Sequence, residues 1–375
     1  MKSNAKSNVN NYIKNKIVII CFGIMITGFM LVNLIFPDSE ISYSERRKLV
    51  GIPTYSFEKL LNGKYFEEME KYFLDQFVCR DTFRGFKAFG RFYLLKQKDN
   101  KGIYIVDGAI YKIEYPLNEK SIKNGAKKIN EVYNKYLKGM NVNYSIIPDK
   151  NYFTAKEKGY PFMDYKKMVD IMNQDIKNMK YIDLFDSLKI EDYYKTDIHW
   201  SQDRLINISY KLLREMGNDN NNIDTTYTKE EFYPFYGSYY GQAALKLRPD
   251  TMAYLTNDSI ENAIVFDPID GTYSKVYTDE KFRTIDPYDV FLSGAKSIIT
   301  VSNPMCTTGA ELILFRDSFG SSIAPLLLQH YSQITLVDLR YISTDLLGEY
   351  IDFSRGQDVL FLYNTLILNK STMLK

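Results

Sequence analysis

The stretch IVIICFGIMITGFMLVNLIF, Ile17 to Phe36, constrains this chain more than any other. Apart from Thr27 and Asn33 it is apolar over the roughly 20 residues that a helix needs to cross a bilayer. Lys2, Lys6, Lys14 and Lys16 precede it, whereas the nearest basic cluster beyond it, Arg46, Arg47 and Lys48, begins ten residues on. The positive-inside rule therefore makes residues 1–16 a cytoplasmic tail. No small-x-small cleavage site follows in NLIFPDSE, so residues 17–36 read as an uncleaved transmembrane signal anchor rather than a removable signal peptide. A buried core helix is the alternative. No second long apolar run occurs, which leaves residues 37–375 as an extracytoplasmic portion on a single-pass cell-membrane protein.

That portion is long enough for a substantial core. The 48 basic and 46 acidic residues of the whole chain nearly cancel, and no basic run suggests a nucleic-acid partner. The many tyrosines and phenylalanines accompany a general abundance of Asn, Lys and Ile, so aromatic richness says little about function. Cys79 and Cys306 are far apart, without Cys-x-x-Cys or Cys/His spacing, which argues against zinc. They form either one disulfide or two separate buried thiols.

After the anchor, Phe66, Met69, Phe73 and Phe77 recur at helical spacing beyond a break at Asn62-Gly63, predicting for residues 37–100 a helical connector that packs on the main domain. Asp107-Gly108 between alternating segments predicts a hairpin. From 101 to 375 short apolar strands alternate with amphipathic helices: strands 142–147, 181–185, 297–301, 311–315, 334–337 and 358–363, with helices 118–140, 165–178, 202–216 (capped by Ser201 and stopped by Gly217), one running to Gln329, and one near 344–351. The stretch 218–296 reads as irregular. The pattern predicts an α/β fold with a mostly parallel sheet covered on both faces.

Ligands of such sheets bind beyond the carboxyl ends of the strands. At one such end, LFRDSFGSS, strand 312–315 runs through Arg316-Asp317 into Ser318 and a helix. Ser318 could be a nucleophile beside helix-start N–H groups, or an ordinary N-cap. At another, YYKTDIHW holds one of two histidines and the only tryptophan. Extended backbone would put Asp197 and His199 on one face, so that Asp197 bonds Nδ1 and leaves Nε2 as a base; a structural role is the alternative. Together Asp197, His199 and Ser318 supply the minimum set for acyl transfer. Arg316 and Lys150, each just past a strand end, are candidate anchors for a sugar carboxylate or phosphate, or else surface charges. Tyr193, Tyr194 and Trp200 could stack on a sugar ring, although Trp200 could instead pack beneath the loop. His330, at the end of an apolar helix, reads as packing or as a helix C-terminal charge.

The segments SERRKLVGIPTYS, YFLDQFVCRD, GIYIVDG, IIPDKN, KTDIHWSQ, FYGSYYGQA, YDVFLSGAKSIITVSN, RDSFGSSIAPLLLQHYSQITLVDLRY and VLFLYNTL span nearly all of residues 40–375. Through them the chain resembles the DHHW-type members of the AlgJ/AlgX/DltD-like SGNH hydrolase group, membrane-anchored proteins associated with O-acetylation of exported polysaccharides. The resemblance implies an SGNH-hydrolase-like three-layer fold, with Ser318 as nucleophile, His199 as general base, Asp197 as its orienting acid and the Ser318 N–H as an oxyanion donor. Ile198 stands where the name-giving motif has its first histidine, and the order Asp, His, Ser matches the permuted arrangement of the alginate acetylation proteins. An O-acetyltransferase of a surface or secreted polysaccharide is then expected, without metal or cofactor, receiving acetyl groups from a membrane-bound O-acyltransferase partner. An acetyl-esterase using the same triad and a non-catalytic polysaccharide-binding or assembly subunit are the alternatives.

Overall fold

The structure, a computed structural model, describes residues 2–218 and 226–375. Met1 of the expected tail and residues 219–225 of the expected irregular stretch lie outside the described residues. The chain divides into two compact units, Met1–Gly90 and Arg91–Lys375.

In the first unit, helix α1 (Lys2–Ile35) contains one segment, Tyr12–Ile35, long and apolar enough to cross a membrane, with a hydropathy of 2.5 and none of it buried. Helices α2 (Lys64–Gln76) and α3 (Arg80–Phe89) follow, α2 starting after Gly63, whose φ of 80° suits glycine. Charged groups join this unit to its extended segment: Arg47 grips Asp75 through both guanidinium nitrogens at 2.6 and 2.7 Å, and Arg80 meets Glu45 at 2.6 Å. In the apolar stripe of α2, Phe66 is 62% and Phe73 54% exposed. All three cysteines are free thiols, Cys79 exposed and Cys306 half-buried, so neither the disulfide nor the pair of buried thiols forms.

The second unit begins with the hairpin of β1 (Ile103–Val106) and β2 (Ala109–Lys112), turning at Asp107-Gly108, both at positive φ as a tight two-residue turn requires. In chain order there follow α4 (Glu119–Val132), β3 (Val142–Ile147), α5 (Lys150–Lys158), α6 (Tyr165–Asp175), β4 (Lys180–Asp183), α7 (Ile206–Glu215), β5 (Thr228–Phe235), α8 (Ser238–Ala243), β6 (Asp250–Thr256), β7 (Ile264–Asp267), β8 (Thr272–Ser274), β9 (Ile298–Ser302), β10 (Glu311–Arg316), α9 (Ser318–Leu327), β11 (Gln333–Val337) and β12 (Asp358–Asn364). The main sheet has the order β8-β7-β9-β11-β10-β12-β3-β4. β11, β10, β12, β3 and β4 are mutually parallel, while β9, β7 and β8 extend the sheet antiparallel.

The fold is a three-layer α/β arrangement. Within β10, Leu312 and Leu314 join a core with α7 and α9 on one face, and Ile313 and Phe315 join a second core with α4 and α6 on the other. Apolar runs without polar alternation thus mark strands buried on both sides. Two local expectations change. Ser201 caps no helix: its hydroxyl donates to Asp203, residues 202–204 form a 3-10 turn, and α7 starts only at Ile206. The stretch read as irregular contains the β5–β6 hairpin, whose Phe235, Met252 and Tyr254 cluster with Tyr194, Tyr288 and Phe291. That cluster matters because it carries Tyr288 to the 193–200 loop. Leu314→Ala, emptying the fully buried centre of β10, is expected to lower stability by about 2–5 kcal/mol, measured as a shifted urea midpoint.

Candidate active site

The carboxyl ends of three adjacent parallel strands are laced by side chains. Asp317, directly after β10, accepts the N–H of Asn364 at 2.7 Å, and the Asn364 amide reaches the carbonyl of Ile147 at 3.1 Å. Thr365 donates to Asp149, after β3, at 2.7 Å. Asp317 also caps α9 through the N–H of Phe319 at 2.9 Å. Ser318 is therefore the first residue inside the helix rather than its cap, and its backbone N–H lies among the helix-start donors that lack an intrahelical acceptor. Burial raises the pKa of Asp317, opposed by Arg340 and two backbone N–H groups.

The loop 193–200 closes on itself. Tyr193 and Trp200 form an antiparallel bridge, and the Tyr194 N–H meets the His199 carbonyl at 3.1 Å. Between them the chain bends instead of extending. Asp197 and His199 meet through an Asx turn: Asp197 Oδ1 accepts the His199 N–H at 2.9 Å and Nδ1 at 2.6 Å. Its other oxygen accepts the N–H of Ser238, the first residue of α8, at 2.5 Å. A carboxylate only accepts, so Nδ1 carries the proton and Nε2 presents its lone pair. Nε2 stands 2.8 Å from Ser318 Oγ. The Tyr288 ring stacks on the imidazole at 3.8 Å with a 9° interplanar angle, holding its plane, while its hydroxyl donates to Ser322 Oγ at 2.9 Å. The structure thus brings Asp197, His199 and Ser318 into one hydrogen-bonded line, buried at Asp197 and half-open at Ser318.

The five residues read as ligand contacts are placed otherwise. Trp200 is fully buried beneath the loop, its indole N–H 2.8 Å from Ser322 Oγ. Tyr194 is buried, edge-on to Phe235. Neither offers a stacking face; Tyr193 is buried too, its hydroxyl on the Pro148 carbonyl at 2.6 Å. Lys150 and Arg316 are no surface anchors either, at 3% and 1% exposure. Lys150 Nζ donates to the carbonyls of Ile110, Tyr194, Lys195 and Asp197 at 2.7–3.1 Å, between the rings of Tyr111 and Tyr239. Burial pushes its pKa down to about 7 against the pull of Asp197 and Asp250. Arg316 lies under α9, 3.8 Å from Asp338, and Gly320 is there because a Cβ would sit 2.5 Å from the Arg316 side chain. His330 is buried, and desolvation lowers its pKa.

Three residues that position the site escaped the sequence reading: Ser238, Tyr288 and Gly237. A Cβ on Gly237 would lie 2.3 Å from the Thr196 carbonyl and 2.4 Å from Asp197 Cα, so only glycine lets α8 reach the loop. FYGSYYG carried the signal, a glycine immediately before a helix start. Asp250 fixes the loop's other flank, accepting the Thr196 hydroxyl at 2.6 Å and the backbone N–H groups of Lys195 and Thr196. A cavity of about 760 Å³ lies beside this flank, lined by Lys150, Tyr193, Asp203, Lys229 and Asp250 but not by Ser318 or His199. Among the described residues no three His, Cys, Asp or Glu side chains converge to hold a metal ion.

A family model described as DHHW protein matches residues 103–337, more than half of the chain. The chain belongs to the DHHW family. Its fold is similar to that of a DHHW family protein from Eubacterium siraeum (18% identity, 73% of this chain and 94% of the other, TM-score 0.60). It is also similar to Bacillus cereus PatB1 (18% identity, 72% and 97%, TM-score 0.55) and to PatB1 with a sulfonyl adduct (16%, 71% and 95%, TM-score 0.56). No curated protein sequence matches it. In this DHHW protein Ile198, at the position of the motif's first histidine, packs against three hydrophobic clusters.

Gly237→Ala must push Thr196 and Asp197 away from α8 and is expected to cost about 1–3 kcal/mol in urea unfolding. Lys150 gives a pH signature. Its folded pKa of about 7 lies below the ordinary lysine value of 10.5, so between these the unfolded chain holds a proton that the folded chain has released. Stability therefore rises with pH across that window and is lost as pH falls back to 7. From pH 7 to 9 the wild type is expected to gain about 2 kcal/mol relative to Lys150→Met, read from their urea midpoints at both pH values.

Proposed function

We propose that this DHHW protein is an extracytoplasmic O-acetyltransferase of a cell-surface or secreted polysaccharide, working through an acyl-serine intermediate. The observation that carries the reading is the continuous line from buried Asp197 through His199 to Ser318, with 2.6 and 2.8 Å links. As the donor ester or thioester is attacked, Ser318 Oγ bonds to its carbonyl carbon and passes its proton to His199 Nε2. Asp197 stabilises the imidazolium. Helix-start N–H groups, that of Ser318 first, face the developing oxyanion. The leaving group departs with the proton from His199. A sugar hydroxyl then attacks the acyl-serine, gives its proton to His199, and the bond to Ser318 Oγ breaks as the serine is reprotonated.

On this reading residues 1–16 are cytoplasmic, α1 is an uncleaved anchor and the sugar substrate is outside. A separate membrane-bound O-acyltransferase delivers the acetyl group, since one spanning helix offers no route for a cytoplasmic donor. The sulfonyl adduct of Bacillus cereus PatB1 supports the reading, because sulfonyl reagents trap activated hydroxyl nucleophiles, the role proposed here for Ser318. The 2.8 Å separation removes the main ground for a non-catalytic subunit, which would leave the serine out of hydrogen-bond reach of the histidine.

Incubation with p-nitrophenyl acetate, following nitrophenol release and intact mass, tests this. A burst with one acetyl adduct on Ser318 is expected, with Ser318→Ala and His199→Ala slower by about 10³-fold or more. Asp197→Asn should slow it by about 10²- to 10⁴-fold through the wrong histidine tautomer. An oligosaccharide that speeds turnover and becomes acetylated identifies a transferase; turnover to acetate alone identifies an esterase. A folded protein whose release is unaffected by Ser318→Ala overturns the proposal.

A further inference from the structure

The segment that joins α2 and α3 touches α1 within the last third of its apolar run. Phe29 of α1 stacks on Phe77 at 5.5 Å and meets Phe83 edge-on at 5.7 Å. Phe29 lies seven residues before Phe36, the end of the apolar run, or about 10 Å along a helix rising about 1.5 Å per residue. The residues that touch it therefore sit level with the last two turns of the span. Asn33, one of two polar residues in that run, accepts the Val78 N–H at 2.7 Å. Val78 lies where the chain breaks between α2 and α3, and a backbone N–H there needs a protein partner wherever water is scarce. The spanning helix supplies it.

Around this junction the two helices are two-sided. Arg80 and Arg84 point to Glu45, and Arg47 to Asp75. On other faces Phe66, Phe73, Leu74, Phe83 and Phe86 are 44–70% exposed, and Ala88 is the only buried residue of either helix. Paired charges suit the headgroup level, and exposed aromatic and leucine side chains suit the acyl boundary beneath it.

We infer that α2 and α3 are an interfacial membrane element: their apolar face lies in the outer headgroup and acyl boundary of the lipid bilayer, so the protein holds the membrane with three helices rather than one. The inference rests on the reading of α1 as an uncleaved anchor. It also ties the start of the extracytoplasmic chain to the membrane plane.

Tryptophan quenching in the full chain tests it, since the wild type carries only buried Trp200 as background. Phe73→Trp, Phe86→Trp and the mid-span control Ile26→Trp are reconstituted separately into phosphatidylcholine–phosphatidylglycerol vesicles. The lipids are brominated either near the headgroup or near the chain end. Trp at 73 and 86 is expected to be quenched about twofold by bromine near the headgroup and little by acrylamide in the water, and Trp at 26 most by the deeper bromine. If position 26 responds to deep bromine while 73 and 86 respond only to acrylamide, the anchor stands, the inference is overturned, and the face is open for another membrane protein. If position 26 escapes bromine as well, the anchor reading and the inference fail together.

Discussion

An irregular loop can be buried only if its backbone polar groups find partners, and residues 193–201 are built around that requirement. Three of the four carbonyls that converge on the Lys150 ammonium belong to this loop, and the fourth comes from β2. One buried cation thereby replaces the water that four carbonyls would otherwise need. Its own charge is balanced by the carboxylates of Asp197 and Asp250, the groups that organise the loop from inside and from its flank. Removing any of the three leaves the others buried with an unmet need, which is the situation in which polar networks are most costly to break.

The same economy explains the geometry at His199. Asp197 uses one oxygen for both the backbone and the ring of His199 and the other for α8, so the imidazole is oriented by a carboxylate that cannot itself turn. Tyr288 closes the remaining freedom by covering the ring face, and Trp200 fixes the loop to the turn of α9 that carries Ser322. Tyr288 and Trp200 are thus occupied with holding the loop and its histidine.

How much of this was legible in the sequence follows from the range of the interactions. The bounds expected for strand Val142–Ile147 match the structure: Pro148 marks its end, although Asn143 and Ser145 interrupt its apolar residues. Ser318 and the Asp197-His199 pair stand out because each sits where a strand or its following loop must end, and the structure brings them within hydrogen-bond distance. The pairing of β9 was not legible: its apolar sequence resembles that of the parallel strands, and its direction depends on partners far along the chain. Lys150 and Arg316 were misplaced for a related reason. A cation after a strand end looks solvated unless one knows that carbonyls or a carboxylate from distant segments will close over it. The Asx turn was missed because extended backbone and a bend both bring residues i and i+2 together, and sequence alone does not separate them.

The hydrogen bond between His199 and Ser318 spans 119 residues of chain. Closing a loop of that length is entropically expensive and comes after local contacts in folding. The two groups also sit on different structural parts, a loop pinned by Lys150 and a helix launched from the middle strand of the sheet. The serine consequently acquires its base only when both parts are complete. A chain still in the course of folding lacks this hydrogen bond, and its appearance at Ser318 is itself a report that the loop and the strand that launches α9 have both been completed.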